Sequence, residues 1–208
     1  MKLSPNEFIK PVKNDFEYNM VRILQYWLFE KYFTEVNNVY EFGCGTGHNL
    51  FRVQEVNENA RLYGLDWAST SQQNIMKINE NLGMNFDSNK FDFFNIDKSF
   101  KLHKNSGIFT FAALEQVSEN YIDFIQYLIT QKPKICLHIE PMDEYLDSDN
   151  LLDYLSIKYF EKRNYLSGLK TYLLRLQKDG VIEIIQDQKS CIGSVFIDGY
   201  SIIAWSVL

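Results

Sequence analysis

The sequence predicts an α/β fold, a mostly parallel β-sheet with helices on both faces. Three observations predict it. Between residues 38 and 139, short apolar runs alternate with segments whose apolar residues recur at helical spacing. The first run, Val39-Tyr40-Glu41-Phe42, breaks directly into Gly43-Cys44-Gly45-Thr46-Gly47 and resumes with helix-compatible residues. The second, Leu62-Tyr63-Gly64-Leu65-Asp66, ends on a carboxylate. Strands and helices alternating at this spacing make right-handed βαβ units, and so parallel strands.

Taken in order, residues 1 to 14 hold Pro5, Pro11 and polar residues and read as an irregular arm. Asn14 with Glu17 three residues later resembles a helix-starting cap. Met20, Ile23, Leu24, Trp27 and Leu28 then recur at helical spacing to about residue 32 and predict a core-facing stripe. The first strand spans about 38–43 and its helix about 47–57; the second strand spans about 61–66. Ser69 with Gln72 forms another cap pattern, followed by Ile75, Ile78 and Leu82 on one helix face. Phe91 to Asn95 reads as a third strand, Gly107 to Ala113 as a fourth and Lys134 to Ile139 as a fifth. Ser118 starts an amphipathic helix between the last two, and Pro133 ends that region. Two further helical stripes occupy 143–178, with Gly180 closing the second. The tail reads as two strands, Val181 to Gln186 and Ser201 to Val207, around a loop with Gly193 and Gly199, making seven strands in all.

Composition narrows the function. A chain of 208 residues, 46% hydrophobic, suits one domain with a sizeable core, 1–208. The net charge is −6, from 21 basic and 27 acidic residues, with no basic run, so nucleic acid and anionic membranes have no electrostatic footprint. Cys44, Cys136 and Cys191 are too few and too scattered for a disulfide framework or a metal site, which fits a reducing cytoplasm. No apolar run of about 18 residues and no export signal is visible.

The glycine turn carries the chemistry. Glycine is required where the backbone turns left-handed or lies against a ligand with no Cβ between. The turn also aims free N–H groups and the positive end of a helix at whatever sits over the strand. The acid at the end of the next strand is placed to accept hydrogen bonds from ribose hydroxyls.

On these residues the chain resembles the class I S-adenosylmethionine-dependent methyltransferases. Glu41-Phe42-Gly43-Cys44-Gly45-Thr46-Gly47 stands as that family's first motif and Gly64-Leu65-Asp66 as its second. Leu114-Glu115-Gln116-Val117 is similar to a Leu-Glu-His-Val segment often found where its fourth strand ends. A dinucleotide-binding dehydrogenase fits less well: its Gly-x-Gly-x-x-Gly pattern would need a glycine at His48, and a carboxylate at Glu41 would repel a pyrophosphate. It would also need a second βαβαβ half, for which no residues remain.

The resemblance implies a Rossmann-like seven-stranded sheet closed by a C-terminal antiparallel hairpin. It also implies an N-terminal helical cap over residues 1–37, with 143–178 as a second cap segment. S-adenosyl-L-methionine is the implied cofactor. Gly43, Gly45 and Gly47 would let the backbone approach it; Glu41 would lie near its amino group, Asp66 would hold the ribose, and Trp67 would lie against the adenine. The adenine amino group would meet Asn95, with Asp92 as the alternative. Some relatives bind a metal through Glu-x-x-Glu-His at the fourth strand; Ala112 and Gln116 stand at two of those three positions, so no metal is expected.

For the methyl acceptor, ligands of open α/β sheets sit at the carboxyl ends of strands. That singles out Glu115 and Gln116 after the fourth strand and His138 and Glu140 on the fifth, where the two alternate onto one face. Histidine titrates nearest neutrality, so His138 is the simplest general base. Arg163-Asn164-Tyr165, in the cap segment, offers a contact for an anionic acceptor. The expected function is methyl transfer to a small molecule, at the oxygen of a hydroxylated or sugar-like acceptor. The alternatives are an N-methyltransferase for a small amine and a protein that binds S-adenosylmethionine without catalysis.

Overall fold

The computed structural model describes residues 2–4, 7–190, 192–194, 197 and 199–208; Cys191, one of the three cysteines read above, lies outside them. Seven strands form one sheet: β3 (Asn38–Phe42), β4 (Arg61–Asp66), β5 (Asp87–Lys90), β6 (Ser106–Phe111), β7 (Ile135–Glu140), β8 (Ile182–Gln188) and β9 (Ser201–Val207). Their spatial order is β5-β4-β3-β6-β7-β9-β8. The strands from β5 to β7 run parallel, and β9 inserts antiparallel between β7 and β8. Chain order therefore reverses between β3 and β6, which opens a crevice at their carboxyl ends. Residues 2–4 and 7–8, read as part of an irregular arm, instead form a small antiparallel pair, β1 (Lys2–Ser4) with β2 (Glu7–Phe8).

Helices cover both faces. On one, α1 (Phe16–Phe33) and α2 (His48–Val56) pack Leu28, Phe29, Phe33, Leu50 and Val53 onto Val39, Phe109, Leu137 and Ile139. Ile75 of α3 (Ser69–Leu82) joins that layer. On the other, α4 (Tyr121–Gln131) and α6 (Leu169–Lys178) pack Phe124, Leu128, Leu169 and Leu173 onto Tyr40, Phe42, Ile108 and Trp205. The odd and even residues of β3, β6 and β7 thus serve opposite layers, as the two-residue repeat of a strand requires. Between β7 and α6 lies α5 (Leu151–Arg163), capped by the Asn150 side chain.

Four details differ from the sequence reading. The third strand lies at 87–90, not 91–95. It is a polar edge strand exposed to solvent, so it carries no apolar alternation to read. Phe91 and Phe93 are loop residues plugged into the core, edge-on to Phe42 (4.7 Å between centroids) and Phe124 (4.9 Å) respectively. The buried stripe of α1 runs through Val21, Gln25, Leu28, Phe29 and Phe33, leaving Trp27 and Ile23 exposed; Lys31 lies near the Trp27 ring. Neither predicted cap forms: α1 starts after Asp15 and α3 after Ala68, both without a side-chain cap, and Gln72 instead donates to the Asp66 and Asn89 carbonyls.

Close helix–sheet packing depends on Gly107 in β6. A Cβ there would meet two ring atoms of the buried Phe33 at 2.7 Å. The ring is held by Phe29 and Phe109 and has no room to retreat. Gly107→Ala is expected to cost roughly 1–3 kcal/mol in denaturant unfolding; a change under about 0.5 kcal/mol would show the layer to be loosely packed.

Candidate active site at the strand ends

The turn from β3 to α2 is held from beneath by β4. Gly43 and Cys44 both donate to the Leu65 carbonyl, at 2.7 and 3.0 Å, and Gly47 donates to the Cys44 carbonyl at 2.8 Å. Gly43, Gly45 and Gly47 all have positive φ, between 53° and 79°. Gly45 is the informative one: a Cβ built there meets nothing within 4 Å, so the turn presents bare backbone to open space. Asp66 fixes that presentation. Its Oδ2 accepts from Gly45 N and its Oδ1 from Ala68 N, both at 2.9 Å.

A cavity of about 390 Å³ opens over these groups. Gly43, Gly45 and Asp66 form its floor, Trp67, Asp92, Phe93 and Phe94 one side, and Ala112, Ala113 and Gln116 the other. Trp67 and Phe94 are 70% and 67% exposed, a state in which large apolar side chains gain little unless something covers them. Asp92 is held by its own loop, its Oδ1 accepting from Phe94 N at 2.9 Å.

Glu41 lies buried under the turn rather than on the cavity wall. Its Oε1 accepts from Asn49 Nδ2 at 2.6 Å, while Oε2 has no partner. Burial raises its pKa to about 8, against the hydrogen bond from Asn49 and the positive charge of Arg52. Asn49 is the hub of a buried polar string: its Oδ1 accepts from Gln25 Nε2 of α1 (2.9 Å) and from Arg52 Nη1 (2.8 Å).

A second cavity, also about 390 Å³, lies between α1, the start of α2 and the ends of β6 and β9. Tyr18, Gln25, His48, Arg52, Phe111 and Tyr200 line it, with Glu17 and Val21. The two cavities share no lining residue but flank the same two stretches of chain, Gly45 and Ala112 lining the first where His48 and Phe111 line the second.

No protein-family model matches the chain, and no curated protein sequence does. Solved structures match it throughout. A small RNA methyltransferase aligns with a TM-score of 0.65 at 12% identity, over 98% of this chain and 27% of that one. NodS, an N-methyltransferase from Bradyrhizobium japonicum WM9 solved with S-adenosyl-L-homocysteine, aligns with a TM-score of 0.64 at 10% identity, over 94% and 90%. The mitomycin 7-O-methyltransferase MmcR aligns with a TM-score of 0.63 at 13% identity, over 93% and 56%. The chain thus spans about a quarter of the RNA enzyme and just over half of the mitomycin one. The fold is that of the class I methyltransferases.

Within that fold, the structure brings Gly43, Gly45, Asp66 and Trp67 together around one cavity, with Gly47 capping α2 beside them. Asn95 is not among them. It faces the neighbouring hollows with Lys98 and Phe100, because the chain turns after Asp92; Asp92, the alternative, lines the cavity. His138 does share a face with Glu140, but it is a core residue with no route to either cavity. It is fully buried beside Trp205 and Phe124, its Nδ1 pairs with Thr110 Oγ1 at 2.9 Å, and burial pushes its pKa down to about 3. Glu140 is also fully buried, and its carboxyl accepts from Ala113 N (3.1 Å) and Glu115 N (3.3 Å). It therefore positions the corner that carries Ala112 to Gln116, and burial raises its pKa to about 7. Glu115 sits half-buried on that corner, within electrostatic reach of Tyr165 and Tyr200. Arg163 is exposed at the end of α5 and lines neither cavity.

Sequence reasoning passed over His48, Arg52, Phe93 and Phe94. His48 directly follows the last glycine of the turn, which was signal enough to place it at the strand ends. Arg52 was legible only as one helix turn beyond it. The two phenylalanines were hidden by the strand reading of 91–95.

The buried Glu41 makes stability pH-dependent. Its carboxyl sits at about 8 folded and near 4.5 unfolded, so the stability present below pH 4.5 falls as pH rises toward 8 and ionisation is forced on a buried group. Glu41→Gln keeps the acceptor for Asn49 and removes the titration. Its melting temperature relative to the parent chain should rise by more than about 4 °C between pH 5 and pH 8, where ~1 kcal/mol corresponds to roughly 2–4 °C. Parallel curves would mean that Glu41 ionises freely in the folded chain.

Proposed function

We propose that the chain is an S-adenosylmethionine-dependent methyltransferase that methylates an oxygen of a small acceptor. The observation that carries the reading is the cavity in which Gly45 offers bare backbone beside the Asp66 carboxylate, flanked by the exposed rings of Trp67 and Phe94. NodS was solved with S-adenosyl-L-homocysteine, and a geranyl diphosphate methyltransferase of the same fold (TM-score 0.63, 9% identity) with S-adenosylmethionine.

The donor set fits that cofactor. Each Asp66 oxygen is held by one backbone N–H and keeps lone pairs to accept from ribose hydroxyls. Trp67 and Phe94 offer faces to a planar base. Asp92 is the acceptor for an exocyclic amine, in place of Asn95. Glu41, buried beneath the turn, braces it through Asn49 and lines neither cavity. The cofactor supplies a methyl carbon made electrophilic by the attached sulfonium. The chain's task is to hold donor and acceptor in line and exclude water, and to remove the acceptor's proton.

A small acceptor accords with the size of the second cavity and with the net charge of −6, which repels a polyanion. Of the two expected cap segments, 1–37 borders the site through Glu17, Tyr18, Val21 and Gln25 of α1, while no residue of 143–178 lines either cavity. No helix among the described residues is long and apolar enough to cross a membrane, and a cytoplasmic setting is proposed on the cysteine usage alone.

Asp66→Asn should weaken S-adenosylhomocysteine binding by calorimetry at least tenfold, about 1.4 kcal/mol, in a chain whose circular dichroism is unchanged. Unaltered affinity would remove Asp66 from the donor site. Transfer to amines alone, across a panel of hydroxyl and amine acceptors, would overturn the assignment to oxygen.

A further inference from the structure

The second cavity has features that donor binding leaves unused. Its volume of about 390 Å³ falls at the lower end of the ~300–1,000 Å³ typical of small-molecule sites. Phe111 and Tyr200 stack on one another at 5.3 Å between centroids and 21° between planes, a rigid pair that leaves one outer ring face for a ligand. Tyr200 is held there with φ at 71°, an uncommon conformation for a bulky residue and one found where a site over-determines the backbone.

Two polar groups on the cavity are incompletely matched. Gln25 is fully buried, and its Oε1 has no hydrogen-bond partner while its Nε2 is spent on Asn49. Arg52, only 5% exposed, donates to Asn49 and Tyr18, with its guanidinium 5.2 Å from the Tyr18 ring centre, and has no carboxylate partner among the described residues. Glu41 acts on Arg52 only at a distance, and a buried cation with no anion in contact is costly, a cost that a ligand bringing one recovers. Glu17, half-buried at the rim, disfavours an anion there but is not within ion-pair distance of Arg52.

His48 stands at the start of α2, where this cavity adjoins the glycine turn. Its Nδ1 lies 2.9 Å from Thr46 Oγ1, and in the tautomer whose Nδ1–H donates to that hydroxyl oxygen, Nε2 keeps its lone pair for another partner. The side chain is exposed to the cavity, and partial desolvation with the nearby Arg52 charge lowers its pKa, which keeps the imidazole in the neutral form a base requires.

We propose that this cavity holds the methyl acceptor, a planar phenol carrying a carboxylate, with Arg52 pairing the carboxylate, the outer face of the Phe111–Tyr200 stack against the ring, and His48 receiving the hydroxyl proton. This rests on the methyltransferase reading and specifies its acceptor as aromatic rather than sugar-like. In the step itself, a lone pair of the phenol oxygen forms the new O–CH₃ bond. The C–S bond breaks with its electron pair passing to sulfur, which loses its positive charge, and the proton passes from oxygen to His48 Nε2.

The test uses the whole chain saturated with S-adenosylhomocysteine, whose binding is measured first. 4-Hydroxybenzoate, tyramine and glucose are then titrated by calorimetry, with ¹⁵N-labelled histidine followed by NMR; the chain has three histidines, and His48→Gln assigns one of them. The expected result is binding of 4-hydroxybenzoate at least tenfold tighter than either other probe, with a shift of the His48 imidazole resonance. Arg52→Lys should retain part of that affinity, while Arg52→Gln loses it. Binding of S-adenosylhomocysteine without binding of 4-hydroxybenzoate, or tighter binding of tyramine or glucose, overturns the acceptor assignment alone. Failure to bind S-adenosylhomocysteine at all overturns the donor reading as well.

Discussion

The Asp66 carboxylate closes hydrogen bonds that neither of its neighbouring loops closes alone. One oxygen holds Gly45 in the turn after β3, and the other holds Ala68 ahead of α3. The turn needs such a strap because its three glycines all sit at positive φ, where glycine also has the most freedom to lose. With the strap in place, the bare Gly45 backbone, Trp67 and the 91–94 loop become fixed walls of one cavity; Phe91 N, bonded to the Asp66 carbonyl, ties that loop to the same residue. A single acid thus sets the shape of this cavity, from the end of β4, one strand away from the β3–β6 boundary where strand order reverses.

A second buried string joins the two sides of the site. Gln25, Asn49, Glu41 and Arg52 link α1, α2 and β3 through charge-assisted contacts in a low-dielectric interior. The two oxygens it leaves unpaired belong to Glu41, under the glycine turn, and to Gln25, on the second cavity. A partly satisfied buried network is costly in an empty fold. It is coherent in one that completes the network with bound molecules, and that is why the pattern supports a binding role over a purely structural one.

The parts of the fold readable from sequence were those imposed by local rules. The glycine turn, the strand-end acid, the β9 limits at 201–207 and the helices on both faces follow from period and turn chemistry. Three readings failed for tertiary reasons. The polar edge strand β5 has no buried face to imprint a pattern, and the phenylalanines that follow it fill the core from a loop. Trp27 fits the helical spacing, but α1 is rotated so that Gln25 faces inward and meets Asn49. His138 has the right chemistry and the wrong depth, since the period of a strand says which face a residue shares and not whether that face is covered. The second cavity was largely illegible because its lining converges from three separate segments, His48 and Arg52 from α2, Phe111 from the end of β6 and Tyr200 from before β9.

Two cavities flank the glycine turn, and the proposed function gives one to each reactant. A crystal structure with S-adenosylhomocysteine tests this most directly. The account predicts the ribose on Asp66, the base against Trp67 and Phe94, and the sulfur at the junction between Gly45 and His48, facing the cavity bounded by Phe111 and Tyr200. A ligand seated instead in the hollow beside Lys98 and Lys101, or a sulfur pointing away from His48, would contradict it.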